Sequence, residues 1–112
     1  MRKLLVTVLA AALAGPLAAE AAAATRTVAL GDDWFVRRGS PSTVTVKRGT
    51  IVRWNWTGRD LHNVVVRRGP VKFSSSLKED GTYRKRVTRA GTYRIVCSVH
   101  QPDMRMTLRV TR

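Results

Sequence analysis

The chain has 112 residues, with 21 Lys and Arg against seven Asp and Glu and a formal charge of +14. That length supports one small domain after any leader is removed. A single cysteine excludes an internal disulfide framework, and the absence of Cys-x-x-Cys-His excludes a covalently attached c-type haem.

In chain order, Arg2 and Lys3 precede an apolar run over residues 4–13, a break at Gly15-Pro16, and small residues ending at Ala21 or Ala24. This is the pattern of a secretory signal over residues 1–24, which leaves 25–112 as the mature domain. The run is too short and too rich in alanine to read as a membrane anchor. No cysteine follows it to carry a lipid. The mature protein is therefore expected to be soluble and outside the cytoplasm, either periplasmic or extracellular. There a free thiol is a liability unless a metal holds it.

From residue 31 onward, glycines fall about every ten residues, at Gly31, Gly39, Gly49, Gly58, Gly69, Gly81 and Gly91. Breaks at this spacing with β-branched residues between them predict a sandwich or barrel. Period-two alternation marks the strands. Over 43–47, Val44 and Val46 face inward; over 51–56, Val52, Trp54 and Trp56 share one face. Further strands are expected over 62–66, 71–75, 82–88 and 92–97, the last with Tyr93, Ile95 and Cys97 on one face. Over 105–111, Met106, Leu108 and Val110 point in. Two packed antiparallel sheets would let these faces bury one another, giving an all-β Greek-key sandwich of seven to eight strands.

The only cysteine, Cys97, opens Cys97-Ser98-Val99-His100-Gln101-Pro102-Asp103-Met104, and the only other histidine is His62. One thiolate, two imidazoles and a thioether are the donor set of a type 1 copper site, which holds the metal in a Cys/His/His plane with a long axial Met. Structural zinc wants four closing thiolate or imidazole donors, and the chain has three. The thioether is a soft donor that suits copper. A Cys/His nucleophile pair is conceivable, but Cys and His two residues apart on one tight loop aim more naturally at a common metal than at a substrate. A buried free cysteine with two satisfied histidines is the remaining alternative. Met106 competes with Met104 as the thioether, but the alternation of the last strand sends Met106 to the core.

These residues resemble the cupredoxin family, the plastocyanin/azurin-like small blue copper proteins. The resemblance covers residues 26–112. It rests on Val46-Lys47-Arg48-Gly49 before the Trp54 strand, His62-Asn63-Val64, Phe73-Ser74-Ser75, Gly91-Thr92-Tyr93, Cys97-x-x-His100 and Met104. It implies His62, Cys97 and His100 as equatorial ligands and Met104 as the axial one. It also implies that Asn63 braces the site, its amide directed at the thiolate and its side chain tied towards Ser98. Position 99 is Val where many relatives carry proline, so an amide is free there to point at the Cys97 sulfur.

Without residues 1–24 the domain keeps a charge of about +13, enough for a long-range positive field. An acidic redox partner, an anionic membrane or a cell-wall polyanion would feel it. Specific nucleic-acid recognition is not expected of an exported protein. Leu61, Val99 and Pro102 are candidates for an apolar collar around His100. The expected protein is a monomeric, non-enzymatic carrier of single electrons with one copper. Copper trafficking or storage is the alternative.

Overall fold

A computed structural model describes residues 23–39 and 41–112. The secretory signal expected over 1–24 lies outside the described residues except for its last two. Eight strands are present: β1 (Thr25–Gly31), β2 (Trp34–Phe35), β3 (Ser42–Lys47), β4 (Ile51–Trp56), β5 (Val65–Arg68), β6 (Thr82–Arg86), β7 (Gly91–Val96) and β8 (Arg105–Thr111). They form two four-stranded sheets in the orders β2-β1-β4-β6 and β3-β8-β7-β5.

The sheets are mixed, not purely antiparallel as the sequence suggested. β1 runs parallel to β4, and β3 runs parallel to β8. Parallel neighbours need a crossover between them. Here the chain crosses to the opposite sheet, so that β3 separates β1 from β4. The stretch over 71–75 is not a strand but a return segment that touches β5 through a bridge between Val65 and Ser74.

Alternation fixes which side chains enter the core. Val44 and Val46 on β3, Val52, Trp54 and Trp56 on β4, and Met106, Leu108 and Val110 on β8 are all buried. Trp54 is fully enclosed and packs on Phe73 and Tyr83, with ring centroids 6.0 and 5.7 Å away. Met106, paired with Ile95 across β7 and β8, is a core residue as its register predicted. Met106→Ala should therefore lower unfolding free energy by about 2–5 kcal/mol. Denaturant titration of the metal-free protein measures this, and a loss below 1 kcal/mol would contradict the core assignment.

Every strand end that matters for the site falls at one end of the sandwich. The pairing of Leu30 with Trp56 brings the C-terminal ends of β1 and β4 together. The pairing of Val96 with Arg105 and of Val65 with Val96 brings the end of β7 beside the starts of β8 and β5.

Candidate metal centre

His62, Cys97 and His100 converge at that end, with their ligand atoms all within 4.8 Å of one another. Cys97 follows β7 and is fully buried, its sulfur 3.8 Å from His62 Nδ1 and 3.4 Å from His100 Nδ1. Donors each about 2.0–2.3 Å from one first-row metal ion lie at such spacings. His62 is fully buried on the β4–β5 connection, where its amide donates to the Lys78 carbonyl at 3.0 Å. It precedes β5 by three residues instead of starting the strand, and an isolated bridge to Lys78 fixes it.

The 97–104 loop is closed by its own backbone. The His100 amide donates to the Cys97 carbonyl at 3.2 Å, and the Met104 amide to the His100 carbonyl at 3.0 Å. The Cys97 amide donates to the Met104 carbonyl at 3.1 Å. Met104 is completely buried beside this turn. Asn63 ties the loop to the other donor segment: its Nδ2 donates to Ser98 Oγ at 2.9 Å, and its Oδ1 accepts the Ser98 amide at 2.8 Å. That is the side-chain brace the resemblance implied. Among the described residues, neither the Asn63 nor the Val99 amide reaches the Cys97 sulfur; its partners are the two imidazole nitrogens.

Two further residues belong to the site, and sequence reasoning missed both. The β1–β2 turn places Asp32 Oδ1 2.9 Å from His62 Nε2 and Asp33 Oδ1 3.3 Å from His100 Nε2. Asp33 adopts φ 73°, a left-handed conformation that aspartate tolerates. Asp32 also accepts the amides of Asp60 at 2.9 Å and Arg59 at 3.0 Å. Gly58 makes room for it, since a Cβ at that position would collide with the Asp32 carboxylate. The Asp60 amide and the His62 ring, helped by the Arg59 amide, lower the Asp32 pKa to about 2 against the upward push of desolvation. An ionised carboxylate only accepts hydrogen bonds, so His62 Nε2 carries the ring proton and Nδ1 presents its lone pair to the cluster.

The rim around the cluster is partly apolar. The His100 side chain is 29% exposed, whereas that of His62 is sealed. The exposed large hydrophobic residues among those described are Leu61, Leu77 and Val99. Leu61 and Leu77 precede the bridged pair His62 and Lys78, so both lie at this end. Leu77 was not anticipated, because nothing local marks its return to the histidine.

The donor set therefore fits copper: a buried soft thiolate, two imidazoles with nitrogens turned to it, and a buried thioether behind the same turn. The described residues contain no helix long and apolar enough to cross a membrane. Over almost its whole length the chain resembles the copper-containing nitrite reductase NirK of Thermus scotoductus SA-01. The match covers 95% of this chain with a TM-score of 0.67 and 28% identity, but the chain spans only 27% of that enzyme. Amicyanin is similar at nearly full length. A methionine-to-alanine variant in its Cu(I) form gives TM-score 0.64 and 26% identity over 81% of this chain and 86% of that one. A reduced tryptophan-to-tyrosine variant of amicyanin gives TM-score 0.65 and 25% identity over the same shares. Among curated proteins no sequence matches this chain. Residues 38–111 match the family model of copper binding proteins of the plastocyanin/azurin family. With two sheets of the cupredoxin kind carrying a Cys/His/His cluster at one end, the chain belongs to the plastocyanin/azurin family, and its cofactor is copper in a type 1 site.

Proposed function

We propose that the domain is an exported carrier of single electrons, in which His62, Cys97, His100 and Met104 would hold the copper. The observation that carries this reading is a fully buried Cys97 sulfur facing two imidazole nitrogens at 3.4 and 3.8 Å, of which one ring reaches solvent. Bound copper supplies the one-electron Cu(II)/Cu(I) couple. The chain supplies the rest. Asp32 and the Lys78 bridge fix His62, while the Asn63–Ser98 pair holds the cysteine loop at a set distance from it. Burial of Cys97, His62 and Met104 keeps water off the thiolate. A rigid donor set limits rearrangement as the metal changes charge, which suits a carrier better than a catalyst.

The exposed edge of His100, rimmed by Leu61, Leu77 and Val99, is the contact through which a redox partner exchanges electrons. Such encounters use small interfaces. Residues 1–24 act as the secretory signal and 25–112 as the monomeric, non-enzymatic domain.

The test combines spectrum, potential and exchange. One equivalent of Cu(II) should give an intense visible band, and the loaded protein should exchange electrons reversibly with a soluble redox protein. Met104→Leu should shift the reduction potential and spectrum while the metal-free protein loses less than about 1.5 kcal/mol, because the swap conserves volume. An unchanged potential would remove Met104 from the site. Ready release of copper to an acceptor, with slow electron exchange, would favour trafficking instead.

A further inference from the structure

The charged side chains are sorted along the strand axis. Segments at the metal end, residues 31–39, 56–65, 74–82 and 96–105, hold all six carboxylates of residues 23–112, together with five bases. The rest of the domain holds fourteen Lys and Arg and no acidic side chain. At the far end Arg26, Lys47, Arg48, Arg86, Arg89 and Arg112 stand exposed on strand ends and turns. Among the described residues no lysine or arginine forms an ion pair with a carboxylate. Arg53 lies directly opposite Arg84 across β4 and β6, and Arg68 opposite Arg94 across β5 and β7. Like charges directly opposite destabilise a sheet. Scattered solubilising charge would not leave most of a domain without one acid.

The bases of the far end are too distant from the metal end to serve docking there. The seven residues of β8 span roughly 20 Å at about 3.3 Å per residue, more than two Debye lengths of about 8 Å at physiological salt. A partner at His100 is therefore screened from the far end and meets a nearly neutral, partly apolar rim.

The chain also enters the domain at the basic end. The Ile51 amide donates to the Ala24 carbonyl at 2.9 Å, and β1 begins at Thr25 beside Ile51. Residues 1–22, with the apolar run over 4–13, thus join the domain where the bases are concentrated. A run of that kind held in a bilayer during export would bring this end against the headgroups. No large hydrophobic residue is exposed there among the described residues, so contact is electrostatic and not insertional.

We propose that the basic end docks on an anionic phospholipid bilayer, leaving the metal end turned away from the membrane for its redox partner. The docking does not require copper, so its failure and failure of the electron-carrier reading are separable. Phosphatidylglycerol vesicles should pull down the exported protein, metal-free or loaded, at 50 mM salt, while phosphatidylcholine vesicles should not. Raising salt to about 500 mM shortens the Debye length to roughly 4 Å and should release it. A variant with Arg48→Gln, Arg86→Gln and Arg89→Gln should lose about a hundredfold in vesicle affinity, at roughly fivefold per base. A control with Arg37→Gln, Arg38→Gln and Arg59→Gln removes the same charge at the metal end and should lose only a few-fold. Unchanged circular dichroism of both variants ensures that folding is not being read. Equal losses in the two variants would overturn the proposal in favour of net charge alone. Salt-insensitive vesicle binding by the unaltered protein would overturn it too, as would binding to polyglutamate without binding to phosphatidylglycerol vesicles.

Discussion

Cys97→Ser is expected to leave a colourless protein. The intense visible band of a type 1 site is charge transfer from thiolate sulfur to Cu(II), and Cys97 is the only cysteine, so no other side chain can replace it. A serine hydroxyl is a hard and scarcely ionised donor at neutral pH. The two imidazoles would remain, with His62 still held by Asp32, so weak colourless copper binding should persist. The backbone bonds of Cys97 to Met104 and His100 do not involve the sulfur, and the loop should survive. Absorption spectra and metal content of the two proteins decide the matter. A blue serine variant would remove Cys97 from the site.

Trp54→Ala should give the largest loss of stability. The indole is fully buried at the centre of an aromatic cluster in which Phe73 also contacts Tyr93, with centroids 6.0 Å apart. Removing it costs about 3–5 kcal/mol in transfer and cavity terms, and small domains are stable by only about 5–15 kcal/mol. At about 4–8 °C per kcal/mol, the thermal midpoint should fall by at least 12 °C. The metal-free protein is the right sample, because bound copper would add its own linkage to folding. Trp54 Nε1 has no acceptor among the described residues. The ring therefore acts through packing, and Trp54→Phe should recover most of the loss. A phenylalanine variant as weak as the alanine one would point to a hidden polar role for Nε1.

The parts of this protein that were legible in its sequence are those set by local period or by rarity. Alternation marked β3, β4, β7 and β8 because each buries one face, and the placement of Met106 in the core followed from the same rule. Cys97, His62 and His100 stood out because the chain has one cysteine and two histidines. β1 escaped notice because only Val28 and Leu30 alternate clearly before the chain turns at Gly31. Asp32 and Asp33 carry no local signal beyond ordinary turn chemistry. Their role depends on the parallel pairing of β1 with β4, which brings the turn beside the His62 loop and which alternation cannot specify. The sorting of charge was invisible for the same reason: it exists only once strand directions are known.

The turn that carries Asp32 and Asp33 limits how portable the copper centre is. Residues 97–104 look like a self-contained cassette, because they bring thiolate, one imidazole and thioether in a single backbone-closed loop. Transplanted alone into another sandwich, the cassette would leave behind Asp33, which faces the outer nitrogen of His100, and Asn63, which clamps Ser98. A recipient histidine in the place of His62 would likewise need its own carboxylate to set the ring's tautomer. Such a chimera would hold metal with rings free to swivel, so its ligand field would be broadened and its spectrum smeared. The smallest unit that can be moved intact is four separated pieces of chain, 31–34, 58–63, 77–78 and 97–104, together with the strand pairing that brings them together.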